Sequence, residues 1–150
     1  MYIVLELAPY HFHYHLTCLK PNSMSKLILI DDDVIYHKIT QLMIEEYSPV
    51  EEVISSMDGK ATLDYLVENQ TNEEKLPDYI LVDLNMPKYS GWDFLNAYKK
   101  IRKSLSKAIR IHIVSSSIDP NDIERSKHYS FVDSFIIKPL KREFLEGLID

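Results

Sequence analysis

The sequence predicts a doubly wound α/β fold, a five-stranded parallel sheet with helices on both faces, and three observations lead there. From Lys26 onward, short β-rich apolar runs alternate five times with stretches of helical period, the pattern of βα units on a parallel sheet. Most runs are continuously apolar rather than alternating, as strands covered on both faces require. Acids follow the first and third runs, hydroxyls the fourth and a lysine the fifth, and the carboxyl ends of strands are where open parallel sheets gather ligands.

Residues 1–23 differ from the rest, with one acid, one lysine and a crowd of aromatic and histidine residues between Tyr10 and Leu16, and are read as an N-terminal extension outside the fold. They lack the basic start, apolar block and small-residue cleavage site of a secretory signal. Met24 directly precedes the first strand and is a candidate translation start. His11, His13 and His15 would share one face of a strand, but floppy histidines that bind nothing specific are the reading preferred.

The first strand is Leu27 to Ile30, followed by a helix whose Ile35, Ile39, Leu42 and Met43 fall on one face and are expected in the core, with His37 exposed. Val50 to Ser55 is the second strand. Asp58 is suited to cap the next helix, which presents Leu63, Leu66 and Val67, and the polar stretch from Asn69 to Asp78 is a loop. Tyr79 to Val82 is the third strand, and its helix carries Phe94, Leu95, Tyr98 and Ile101, with Trp92 packing at the start. Lys99, Lys100, Arg102, Lys103, Lys107 and Arg110 then read as a solvated helix end whose cations complement the macrodipole. The fourth strand, Ile109 to Val114, holds His112 as a hydrogen-bonded structural histidine, and Asp119-Pro120 reads as a cap followed by proline at the first helical position. Phe135 to Ile137 is the fifth strand, and the last helix carries Phe144, Leu145, Leu148 and Ile149, with Gly147 in its interior at a cost of about 1 kcal/mol.

Composition bounds the function. The 150 residues carry 17 Lys and Arg against 23 Asp and Glu, a net charge of -6, and 45% are hydrophobic, enough for one acidic globular domain with a real core. That balance excludes a disordered tail, a collagen-like repeat or a coiled coil, and it opposes direct nucleic-acid binding by the surface at large. The apolar runs fall far short of the roughly 18 residues of a membrane span. Cys18, the single cysteine, offers neither an internal disulfide nor a thiolate metal site, which fits a reducing cytoplasmic compartment.

The chemistry lies at the strand ends: Asp31-Asp32-Asp33 after the first, Asp83 after the third, Ser115-Ser116-Ser117 after the fourth and Lys138-Pro139 after the fifth. Carboxylates a few ångströms apart repel by about 1 kcal/mol per pair in water and about 4 kcal/mol at an effective dielectric of 20, so a cation belongs among them. Hard oxygen ligands select Mg2+ or Mn2+ over zinc or copper. A metal so held keeps open positions for phosphate oxygens, Lys138 adds a second positive charge, and the set suits phosphoryl transfer. Singly, each element has a plainer role: Asp32 or Asp33 as a helix cap, Asp83 as a turn cap before Pro87, Lys138 as a solvated side chain. Their coincidence at one sheet edge is what carries the reading.

The segments LILIDDD, ILVDLNMPKYSGWDFL, IHIVSSS and FIIKPL resemble, in order and spacing, the signature segments of the receiver (chemotaxis-regulator-like) domain of bacterial two-component response regulators. The resemblance covers Lys26 to Asp150 and places the receiver domain at residues 24–150. It implies a flavodoxin-like strand order 2-1-3-4-5 and phosphorylation of Asp83 by a histidine kinase or phosphotransfer protein. It also implies that Asp32, Asp83 and the backbone carbonyl of Asn85 ligate Mg2+, with Asp31 acting through a bound water. Lys138 pairs with the phosphoryl group in that scheme, and the bond before Pro139 is expected to be cis. Ser115 stands at the switch hydroxyl, where threonine is usual, and Phe135 at the switch aromatic, where tyrosine is frequent. The expected protein is a single-domain phosphoacceptor switch rather than an enzyme acting on a separate substrate. Its downstream protein is expected on the face formed by helix four, strand five and helix five.

A rival reading comes from a different class. Asp31-Asp32-Asp33-Val34-Ile35 also satisfies the D-x-D-x-hydrophobic motif of small haloacid-dehalogenase-like phosphatases, with Asp31 as nucleophile. The chain lacks a late acidic pair after the lysine and room for a cap domain, and the rival leaves Asp83-Leu84-Asn85-Met86-Pro87 unexplained.

Overall fold

Five βα units follow one another along residues 25–148, the part of the chain that the computed structural model describes. They are β1 (Lys26–Ile30), α1 (Val34–Tyr47), β2 (Glu52–Ser56), α2 (Gly59–Glu68), β3 (Tyr79–Val82), α3 (Gly91–Ile101), β4 (Arg110–Ser115), α4 (Pro120–Ser126), β5 (Val132–Ile137) and α5 (Arg142–Glu146). The strands form one parallel sheet in the order β2-β1-β3-β4-β5, as expected. The proposed extension, with His11, His13 and His15, lies outside the described residues.

Burial follows position in the sheet. β1, β3 and β4 are buried nearly throughout, whereas the edge strands β2 and β5 are half-exposed, so their polar residues Glu52, Asp133 and Ser134 are tolerated. This is why β5 runs three residues further back than its apolar core, Phe135 to Ile137, suggests. Alternate residues divide the core in two. Ile28, Ile30, Ile80, Val82, Ile111 and Ile113 meet Leu63 and Leu66 of α2 and Phe94, Leu95 and Tyr98 of α3, while Leu27, Leu29, Leu81 and Val114 meet Ile44 of α1 and Leu145 of α5.

Three of the five helix starts carry caps that the sequence marks. Asp33, Asp58 and Asp119 accept hydrogen bonds from the first-turn amides of α1, α2 and α4, and Pro120 opens α4. Ser90 and Asp93 form a reciprocal capping box at α3.

Four expectations are corrected. The apolar stripe of α1 is mostly not core: Ile35, Ile39 and Leu42 are 71%, 51% and 52% exposed, Met43 alone of the four packs partly against the sheet, and the helix buries His37, Thr40 and Ile44 instead. His37 is therefore inside, its Nε2 2.6 Å from the backbone oxygen of Asp31. Val67 of α2 is also exposed, because Leu63 and Leu66 already fill the space over the sheet. Gly147 is the C-cap of α5 rather than an interior residue, so Leu148 packs from beyond the helix end; Ile149 lies outside the described residues.

Trp92 is partly buried as expected, stacked on Tyr129 with the Arg125 guanidinium 4.2 Å from its ring. His112 is buried, its Nδ1 2.7 Å from Ser134 Oγ. Of the six basic residues that run from the last turn of α3 to the start of β4, two have acidic partners, Lys107 with Asp78 at 2.6 Å and Arg110 with Asp133 at 2.7 Å. Among the described residues no helix is long and apolar enough to cross a membrane.

Candidate functional site

The strand order reverses direction at β1 and β3, which makes their carboxyl ends the natural crevice of this sheet. Ladder hydrogen bonds continue one residue past the strands and fix the backbone of each candidate. Asp31 donates its amide to the Ser56 carbonyl at 3.1 Å, Asp83 to Ile30 at 2.9 Å and Lys138 to Ser115 at 2.9 Å. The Lys138–Pro139 bond is cis, as expected.

Asp31, Asp32 and Asp83 each bring a carboxylate oxygen to within 4.8 Å of the other two. Asp31 is 1% exposed and fully engaged, Oδ1 accepting from the Asp33 amide at 2.9 Å and Oδ2 from Lys138 Nζ at 2.5 Å. Asp32 is exposed at the mouth. Asp83, 5% exposed, has Lys138 Nζ 3.7 Å from its Oδ2, and its Oδ1 is buried without a hydrogen-bond partner. Burial pushes the Asp83 carboxyl above the usual carboxylate range; Asp31 and Asp32 push the same way and Lys138 opposes them.

A buried carboxylate oxygen without a donor is rare and asks for a cation or water. Three carboxylates facing one ammonium leave negative charge uncompensated, and their hard oxygens fit a divalent ion of the Mg2+ type. The residues present therefore fit the expected metal.

Ser115 ends β4 and is completely buried, its Oγ accepting from Asn85 Nδ2 at 3.4 Å and from the Ser117 amide at 3.1 Å. Asn85 and Ser115 thus meet at the same edge. Phe135 stands in β5, partly buried against the α2/α3-side core and two residues before Ile137, the strand partner of Ser115. It is not among the carboxylates.

Three residues of the site escaped the sequence reading. Tyr36 lies in the first turn of α1 with its ring centroid 4.0 Å from Lys138 Nζ. His37 braces the backbone of Asp31. Gly91 begins α3 beneath the loop that follows β3, its amide donating to the Leu84 carbonyl at 3.1 Å, and a Cβ there would lie 2.3 Å from the Asp83 carbonyl oxygen. The glycine in YSGWDF was the available signal for this close approach. For Tyr36 and His37 no pattern in the sequence marks the inward face.

Comparison with known proteins points the same way. Residues 27–150 match the family model described as the response regulator receiver domain. The chain is 28% identical over 124 residues to a probable methanogenesis regulatory protein, FilR2, of Methanothrix harundinacea, covering 83% of this chain and 78% of that protein. It is 27% identical to the two-component response regulator ORR1 of Oryza sativa, covering 83% of this chain but only 54% of the relative. A solved two-component response regulator from Cytophaga hutchinsonii superposes with a TM-score of 0.75 at 29% identity, over 85% of this chain and 95% of that one. None of this supports the phosphatase reading, and Asp31, its nucleophile, has both oxygens occupied. With the strand order, the acidic crevice and a family match over most of its length in agreement, the chain belongs to the response regulator receiver domain family.

Proposed function

We propose that Asp83 is the phosphoacceptor, that Mg2+ is the metal required, and that the phosphoryl group comes from a phosphohistidine on a histidine kinase or phosphotransfer protein. The observation that carries this is the buried, unpartnered Oδ1 of Asp83 beside two further carboxylates and a lysine ammonium. An Asp83 oxygen attacks phosphorus, the bond from phosphorus to the histidine nitrogen breaks, and the phosphoryl group stays on Asp83. Asp32, Asp83 and the Asn85 backbone carbonyl are assigned to Mg2+, with Asp31 acting through water. The bound ion would neutralise charge on the transferring phosphoryl oxygens.

The chain's own groups do the rest. Lys138, held on Asp31 in the resting arrangement, changes partner to the new phosphoryl oxygens, which carry about -1.5 to -2 charges. The Ser115 hydroxyl turns toward them, and Phe135 follows into the space vacated, altering the surface of α4, β5 and α5 where the downstream protein binds. Because Val34, Ile35, Ile39 and Leu42 form an exposed apolar stripe that starts immediately after Asp33, a protein bringing phosphohistidine to Asp83 covers this stripe. The same reading leaves residues 1–23 as an appendage to a receiver at 24–150 and places the protein in the cytoplasm.

Intact mass tests it. With Mg2+ and acetyl phosphate, the parent should gain one phosphoryl group and Asp83→Asn none. Modification persisting in Asp83→Asn would refute the assignment. Ser115→Ala should still accept phosphate while losing much of the change around Phe135, read by amide chemical shifts.

A further inference from the structure

Among the described residues, three groups in the crevice hold Lys138 Nζ. Two are carboxylates, Asp31 Oδ2 at 2.5 Å and Asp83 Oδ2 at 3.7 Å, and the third is the face of the Tyr36 ring, 4.0 Å away at its centroid. That distance is well inside the range in which an ammonium is attracted by an aromatic quadrupole. The ring is held by the helix start: Asp33 Oδ1 accepts from the Ile35 and Tyr36 amides at 2.9 and 3.1 Å, fixing the first turn of α1 over the pocket. The Tyr36 hydroxyl is buried on the side of Thr40 and Leu140, away from the ammonium. Its contribution to Lys138 is the ring.

The carboxylates and the ring hold the ammonium differently. A hydrogen bond to Asp31 must break before Nζ can reach a group on Asp83. Attraction to a ring face is broad in angle and persists through that move. A lysine has four rotatable stem bonds, so when it lets go of one partner it has many outward rotamers available. We propose that Tyr36 is a positioning residue for Lys138, its ring holding the ammonium inside the crevice while it changes partner from Asp31 to the phosphoryl group on Asp83. This rests on the receiver reading above.

The test uses beryllofluoride as the phosphoryl mimic, with Mg2+, on the full chain and on Tyr36→Phe and Tyr36→Leu. Tyr36→Leu should bind the mimic roughly five- to tenfold more weakly, and Tyr36→Phe should retain most of the parent affinity. Proton NMR adds a readout that general packing loss does not imitate: the Lys138 ε-methylene protons should be shifted upfield by the ring in the parent and in Tyr36→Phe, and not in Tyr36→Leu. Parental affinity in Tyr36→Leu overturns the proposal, as does an equal loss in both variants, which would point to the hydroxyl. Should Tyr36→Leu fail to fold, the parent spectrum decides, because an unshifted Lys138 methylene overturns the proposal by itself. A parent that takes up neither beryllofluoride nor phosphate at Asp83 refutes the receiver reading as well, a failure distinct from that of Tyr36 alone.

Discussion

The two faces of the sheet are closed by different chemistry. On one, α2 and α3 lay Leu63, Leu66, Phe94, Leu95 and Tyr98 over Ile28, Ile80 and Ile111, and the buried hydroxyl of Thr62 is bonded to Ser56. On the other, α1 and α5 supply Ile44 and Leu145, but His37, Thr40 and His112 are buried with them. Among the described residues, four buried side-chain polar atoms lack a partner: three belong to Tyr36, His37 and His112 on this second face, and the fourth is Asp83 Oδ1 at the edge. One face is built for cohesion. The other gives up apolar contact so that α1 can present Tyr36 to Lys138 and His37 to Asp31, and its apolar side chains turn outward.

The largest expected effect tests the cohesive face. Phe94→Ala should cost about 3–5 kcal/mol in urea unfolding, through lost transfer free energy and the cavity left behind. A cost below about 1 kcal/mol would mean that the two faces do not differ as described.

The polar face should show itself in pH dependence. Burial pushes the His112 ring down to about 4 from 6.5, so it is neutral in the fold and takes up a proton more readily when unfolded. Its contribution is complete above pH 6.5 and is lost as the pH falls toward 4, on the order of 3 kcal/mol by the lower end. His112→Gln should flatten that segment of the stability profile; an unchanged profile would assign the acid sensitivity elsewhere.

Gly91→Ala probes where the cohesive face meets the site. The added Cβ collides with backbone at Asp83 and Leu84, so a loss of about 2 kcal/mol is expected. Slower modification of Asp83 by acetyl phosphate should accompany it.

The smallest effect is expected on the outward stripe. Ile39→Ser should change stability by no more than about 0.5 kcal/mol and leave modification by acetyl phosphate intact. Transfer from a phosphohistidine protein should slow. If Ile39→Ser destabilises as strongly as Phe94→Ala, α1 is packed like α3 and the contrast fails.

Much of this was legible in the chain. The buried strands announced themselves as continuous apolar runs, and Asp33, Asp58 and Asp119 marked helix starts, because capping is a contact between near neighbours. Asp31, Asp32, Asp83, Ser115 and Lys138 were each legible because a parallel sheet sends every strand end to one edge. For α1 the period was right and the phase was not. Ile35, Ile39 and Leu42 define a helical stripe as well as Phe94, Leu95 and Tyr98 do, and only the neighbours of each helix distinguish them.

By itself, then, the sequence determined the element order, three of the helix starts and the residues that converge on the acidic crevice, all of which follow from local geometry and strand direction. Tertiary structure alone decided which way α1 faces, that Lys138 rests on Asp31 rather than Asp83, and which backbone the bare Gly91 approaches. The physical reason is the same for each: these outcomes depend on what lies across space from a residue, and the burial of Tyr36 and His37 is set by a lysine from beyond β5 and a carbonyl at the end of β1.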